Sequence, residues 1–239
     1  MNSFNSVVSF SLVKKSSATK NYLTTAFYDA SAIFFYPLDT AVNGYTPNYA
    51  SGSPVYDGSL NAGAVISTTK YITSTASAYF PPGGASSIRF PQFRVTTSNL
   101  SFSFWYYPLS NGDANIFIAR PNQDNNKLSF NTSGHVRSDY SVGQPIFYFT
   151  PPSLNAWHHV VWTLQGATWK VYIDTVSQPY SNPYGSLYDP IAPFTGTYTF
   201  NLGLYDYVRG AANAYVSDLR IYNLVLNTTQ IARLYNTRY

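Results

Sequence analysis

The chain has 239 residues, 14 basic and 10 acidic, a formal net charge of +4, and only 10% charged residues. Charge this sparse excludes a nucleic-acid surface, which needs clustered basic side chains, and the longest apolar runs, residues 33–38 and 102–109, are far too short to span a bilayer. Cysteine is absent, which excludes a disulfide framework, thiolate catalysis and a zinc–cysteine site, and glutamate is absent too.

Residues 1–26 are predicted to form an N-terminal arm. Val8, Phe10 and Leu12 alternate with Ser9 and Ser11 as in a strand, and a polar linker follows over residues 16–25. No basic residue precedes the apolar part of residues 1–13, while Lys14 and Lys15 follow it, which reverses the order of a secretory leader. One apolar strand face is too small to be stable alone. Adding to an exposed sheet edge would satisfy its backbone. Val8, Phe10, Leu12, Lys14 and Lys15 are therefore the expected docking residues of the arm.

Residues 27–239 read as one domain of short strands. Residues 32–39 (Ala-Ile-Phe-Phe-Tyr-Pro-Leu-Asp) form the first, followed by a Gly-, Pro-, Asn- and Tyr-rich loop over 43–58. Residues 77–80 and 87–91 flank a Pro-Pro-Gly-Gly turn, and 100–108 alternate Phe102 and Phe104 against Ser101 and Ser103. Shorter strands at 116–119 and 127–130 surround an Asn- and Asp-rich turn, His135 falls in a solvated loop, and 146–150 lead into a hairpin at 155–174. There, residues 157–164 are dense in β-branched and aromatic side chains, and Gly166 supplies a turn that needs a positive φ. In the return strand Trp169, Val171 and Ile173 alternate with Lys170, Tyr172 and Asp174. So apolar a hairpin is expected at the centre of a sheet packed on another. A long loop over 178–193 follows, then strands at 197–204 and 215–223. A short helix begins at Asn227, where Gln230 completes a capping box and Ile231, Leu234 and Tyr235 form the apolar side.

Several of these segments together resemble one family. Trp157-His158-His159-Val160-Val161 with Val171-Tyr172-Ile173-Asp174 is similar to the "W-x-H-V … l-Y-v-D-G" hairpin of the laminin-G-like jelly rolls. Tyr215-Val-Ser-Asp-Leu-Arg-Ile-Tyr-Asn223 resembles their "f-x-G-x-I-D-D-V-R-I-Y-N" strand, and residues 32–39 resemble their "a-y-W-p-L-D" opening. The resemblance runs in order from residue 27 to residue 236. It implies an all-β, two-sheet antiparallel jelly-roll sandwich of the concanavalin A-like kind, with a short C-terminal helix, as the many short strands with Gly and Pro turns also do.

The chemistry of catalysis is hard to assemble. Glucan-cleaving relatives use a Glu-x-Asp-x-x-Glu strand, and retaining hydrolysis needs two facing carboxyl groups. This chain has no glutamate, and no two aspartates lie at i, i+2 or i, i+4 on a predicted strand. No Gly-x-Ser-x-Gly elbow, phosphate-binding loop or His-Glu-x-x-His occurs. His158 and His159 are adjacent on a strand, so their side chains point to opposite faces and one or the other caps a sheet edge. Some relatives hold calcium, which the resemblance would place near Asp218 and Asp174. One of the two consecutive acids is replaced by Ser217, the hairpin glycine is replaced by Thr175, which predicts a different turn, and Asp218 is free to pair with Arg220. No catalytic residue, metal ligand or cofactor is therefore expected, with calcium as the alternative.

Recognition remains. Aromatic residues make up 18% of the chain, and tyrosine offers a flat apolar face with a polar tip, suited to stacking on sugars or burying in protein contacts. Tyr180, Tyr184 and Tyr188, with Asn182 and Asp189 as hydrogen-bonding groups, are the expected partner- or glycan-contacting residues. The arm, the sparse charge and the aromatic loops favour a non-enzymatic subunit fixed among other proteins of a larger assembly, a virion being the suggested setting. The alternative is a lectin-like carbohydrate-binding module.

Overall fold

The computed structural model describes residues 32–50, 57–83, 85–95, 99–111, 115–121, 126–131, 135–140, 145–166, 168–179, 196–203 and 212–236. The expected arm residues Val8, Phe10, Leu12, Lys14 and Lys15, and the loop residues Tyr180, Asn182, Tyr184, Tyr188 and Asp189, lie outside the described residues.

The strands are β1 (Ala32–Tyr36), β2 (Tyr45–Thr46), β3 (Gly58–Asn61), β4 (Val65–Ser67), β5 (Ser77–Phe80) and β6 (Ser87–Arg89). Next come β7 (Phe93–Val95), β8 (Asn99–Pro108), β9 (Asn115–Pro121), β10 (Asn126–Asn131), β11 (His135–Tyr140) and β12 (Pro145–Tyr148). The last are β13 (His158–Gln165), β14 (Thr168–Ile173), β15 (Val176–Ser177), β16 (Gly196–Leu202) and β17 (Ala214–Tyr222), before helix α1 (Thr228–Asn236). They form two antiparallel sheets. One runs β15-β14-β13-β8-β17-β5-β4, with β1 also on β17; the other runs β12-β11-β10-β9-β16-β6-β3-β2, with β7 also on β16.

Alternation along the strands builds the core between the sheets. Phe102 and Phe104 of β8, Val160, Trp162 and Leu164 of β13, and Trp169 and Val171 of β14 share one cluster with Ile88, Phe90, Phe200 and Leu202 of the second sheet. Phe102 meets Phe200 at 5.9 Å between ring centres, and Tyr36 meets Phe90 at 4.5 Å. Burial pushes the Tyr36 hydroxyl's pKa far up, and Asp57 adds to it, so this phenol stays neutral. Gly203 turns the chain here with φ +87°, and any Cβ on it would collide with the ring of Phe80.

The first sheet buries a second, smaller cluster on its outer side: Val161, Tyr172, Tyr222 and Leu226 against Ile231 and Leu234 of α1. The helix starts as its sequence dictates. Asn227 Oδ1 accepts the Gln230 N–H, and Gln230 Oε1 accepts the Asn227 N–H, both at 2.9 Å.

Three expectations are corrected. The Trp-rich hairpin is not central: β14 is flanked only by the two-residue β15 at the sheet's edge. His135 begins strand β11 rather than lying in a loop. The turn after β14 keeps the positive-φ geometry of an Asp-Gly turn without its glycine, since Asp174 has φ 50° and Thr175 φ 71° while Ile173 pairs with Val176.

Candidate functional site: the groove beside the helix

The outer face of the first sheet is polar yet largely buried. Its strands β8, β13 and β17 place Ser101, Ser103, His159, Thr163, Ser217 and Arg220 there, all less than a tenth exposed. A bulge organises one part of it. β17 pairs Ser217 with Trp105 and then Arg220 with Ser103, so one extra residue is inserted, and Asp218 takes φ 54°. At that point β17 changes partner, from β5 at residues 214–216 to β1 at residues 219–222. The bulge aims the Asp218 carboxylate at Arg220, whose Nε and terminal nitrogen donate at 2.8 and 3.1 Å. Burial opposes the guanidinium charge, but Asp218 and Tyr222 outweigh it and hold Arg220 above its ordinary range. Both oxygens of Asp218 are thus engaged by Arg220. Among the described residues no three histidine or acidic side chains gather as a metal site.

The two histidines do face opposite ways, and neither caps a sheet edge. His159 lies under the helix between Trp105 and Tyr235, at 5.1 and 6.1 Å between ring centres, with Nε2 2.9 Å from Ser103 Oγ. Burial, then Arg220, pushes its pKa down to about 3, so the ring is neutral. His158 is a clasp. Its Nδ1 donates to Asp174 Oδ2 at 2.7 Å, and its Nε2 lies 2.9 Å from Ser153 Oγ. The order serine–histidine–aspartate has the form of a hydrolase triad, but Nε2 also faces the Ser153 carbonyl oxygen at 3.1 Å. The other oxygen of Asp174 accepts the His159 backbone N–H at 2.8 Å. The group fastens the ends of β13 and β14.

At one end of the face, Tyr107, Tyr215 and Tyr79 form a row across β8, β17 and β5. Tyr79 stacks on Tyr215 at 4.6 Å, and Tyr107 meets Tyr215 and Trp157 edge-on. The rings cover one another, and Tyr107 and Tyr215 are only 9% and 7% exposed. They pack the sheet rather than offer it. Of the earlier loop tyrosines, Tyr49 folds down onto Phe35 at 6.4 Å and Tyr45 is half exposed.

At the other end the face opens into a groove of about 280 Å³ between the β13–β14 hairpin and the segment leading into α1. Cross-strand pairs supply its floor and one wall: Thr163 opposite Lys170, Gln165 opposite Thr168, and Tyr172 one step further along. The other wall is residues 225–228. Ser101 fixes that wall to the sheet, because its hydroxyl donates to the Leu224 carbonyl at 2.8 Å and accepts the Leu226 N–H at 2.9 Å. Thr163 and Tyr172 are 3% and 8% exposed, and among the described residues their hydroxyls have no protein partner; both line the groove. Lys170 is exposed and pairs with no carboxylate among the described residues. Hydroxyls that open on a groove in this way take their partner from water or a ligand. The sequence marks Lys170 and Tyr172 as one polar strand face, but the second wall, from residues far along the chain, could not be read from it.

Residues 82–232 match the concanavalin A-like lectin/glucanases superfamily. No curated protein sequence matches the chain. Among solved structures it is similar to domain 4 of an extracellular arabinanase from Geobacillus stearothermophilus, in complex with arabinotriose. The TM-score is 0.68 at 18% identity, over 86% of this chain and 98% of that one. A Trypanosoma rangeli sialidase matches with TM-score 0.61 at 16% identity over 87% of this chain, which spans 33% of the sialidase. The binding domain of botulinum neurotoxin DC, in complex with rat synaptotagmin II, matches with TM-score 0.58 at 11% identity, over 87% of this chain and 51% of that one. At these identities the likeness is one of fold.

Proposed function

The chain belongs to the concanavalin A-like lectin/glucanases superfamily, and we propose that it is a saccharide-binding module rather than a hydrolase. One observation carries the reading: the groove beside α1 is lined by two largely buried side chains, Thr163 and Tyr172, whose hydroxyls open on it without a protein partner among the described residues, with amide and hydroxyl side chains around them. Sugars are recognised by several such groups held in place, and a groove of about 280 Å³ suits one or two rings. The similar arabinanase domain, seen with arabinotriose, supports the reading by fold. Hydrolysis would need two facing carboxyl groups, whereas Asp174 and Asp218 are held by His158 and Arg220.

Binding is tested by screening oligosaccharides against the full chain. Thr163→Val and Tyr172→Phe, which keep shape and remove one hydroxyl each, should weaken the best ligand about fivefold or more, the value of one hydrogen bond. Unchanged affinity in both variants would move binding elsewhere. Tyr180, Asn182, Tyr184, Tyr188 and Asp189 are then the next residues to replace.

In the same proposal the arm, residues 1–26, tethers the domain at 27–239 to a larger assembly, in the manner of a virion subunit. The alternation of Val8, Phe10 and Leu12 supports this. Deleting residues 2–25 should leave a folded, saccharide-binding chain that no longer incorporates. Normal incorporation would refute the tether.

A further inference from the structure

Resting on the saccharide reading of the groove, we infer that its ligand is an acidic saccharide, whose carboxylate or sulfate oxygens sit between Lys170 and the first turn of α1. The charge placed there is positive, and the helix adds backbone donors to it. Among the described residues Lys170 is the one charged residue lining the groove, and no carboxylate lines it. Asn227 and Thr228, at the start of α1, line the opposite wall. The Asn227 side chain caps the Gln230 N–H, so the N–H groups of Thr228 and Thr229 are left without an intrahelical acceptor. No acidic residue in that first turn neutralises them. The Thr163 side chain, 3% exposed and opposite Lys170 across the hairpin, opens its hydroxyl on the groove without a protein partner among the described residues and points independently to a ligand on the same floor. Neutral-sugar sites balance donors with acceptors so that each hydroxyl can both give and receive. A site with an ammonium and free backbone N–H groups, and no carboxylate facing them among the described residues, fits an oxyanion better.

The test compares matched ligands on the full chain by calorimetry: oligogalacturonate, its neutral methyl ester, a sulfated galactan oligosaccharide, and inorganic sulfate alone. The acidic oligosaccharides should bind at least tenfold tighter than the methyl ester, with affinity falling as salt rises. The tighter of the two identifies the anion. Lys170→Met should abolish that preference while leaving weak binding to the methyl ester. Equal binding of acid and ester, or a preference that survives Lys170→Met, overturns the inference and leaves the saccharide reading intact. Binding of inorganic sulfate as tightly as the oligosaccharides, or no binding of any saccharide, overturns both.

Discussion

On its inner side, the sheet around β8 and β17 buries Phe102, Phe104, Val160, Trp162 and Leu219; on its outer side the same strands bury Ser103, His159, Thr163, Asp218 and Arg220. The inner residues lose apolar surface to the second sheet, a non-directional gain roughly proportional to area. The outer residues are buried because each has a matched partner or, at the groove, a place for one. Inner contacts are therefore forgiving of shape but need bulk, while outer contacts fail when a single partner is lost. Recognition belongs to the outer side for the same reason. Only polar groups held rigidly and left unfinished can discriminate a ligand.

The comparison breaks most readily at the bulge. Arg220→Met leaves the Asp218 carboxylate buried without its guanidinium and should cost about 3–5 kcal/mol. Phe102→Leu, a shape change at fixed polarity on the inner side, should cost roughly 1–2 kcal/mol. The double change Asp218→Asn with Arg220→Met should recover most of the loss, since Asn tolerates the left-handed backbone and no charge stays buried. Urea unfolding of the full chain measures all three. An Arg220→Met cost below that of Phe102→Leu would show that the outer side is not held by its pairs.

A smaller effect follows from His159, whose pKa is pushed down to about 3 by burial and by Arg220. The unfolded histidine binds its proton near pH 6.5, and the folded one does not until about pH 3. The stability tied to the neutral ring is complete above pH 6.5. It should fall by about 1.4 kcal/mol per pH unit as the pH drops from there toward 3. His159→Phe should flatten that part of the pH dependence. An unchanged slope from pH 6.5 to 5 would mean that the ring is protonated in the fold. No inner-side substitution should alter the slope.

The inner side was legible because a strand's period of two writes it directly: Phe102 and Phe104 against Ser101 and Ser103, and Trp169, Val171 and Ile173 against their polar neighbours. The helix was legible because Asn227 and Gln230 spell its cap locally. The groove was not. Ser101 and Leu226 are 125 residues apart, and no local pattern reveals that a serine hydroxyl will hold a helix entrance over a hairpin. The same holds for the placement of the Trp-rich hairpin. Its composition speaks of burial, and Trp162 and Trp169 are buried, but being next to an edge depends on which strands arrive beside it. Strands as short as β2, β4 and β15 carry too few residues for any period to show.

The smallest predicted effect belongs to neither face and gives the backbone's own scale. The turn joining β14 to β15 holds Asp174 and Thr175 at φ 50° and 71°, flanked by the pair Ile173 and Val176. A two-residue hairpin turn with both central φ positive prefers Asp-Gly, because a Cβ in the left-handed region meets the following carbonyl. Aspartate tolerates this position and β-branched threonine does not. Asp174 must stay, since its carboxylate holds His158 and the His159 N–H. Thr175→Gly should therefore relieve roughly 1–2 kcal/mol of strain, less the roughly 0.4–1 kcal/mol that glycine adds to the unfolded chain's freedom. A net gain of about 0.5–1 kcal/mol is expected, seen as a higher urea midpoint at unchanged slope. Thr175→Ala, which keeps the Cβ and removes the branching, should fall between the two. If glycine lowers the midpoint instead, the threonine side chain makes a compensating contact, and the turn then belongs with the outer side, held by a matched partner rather than by backbone preference.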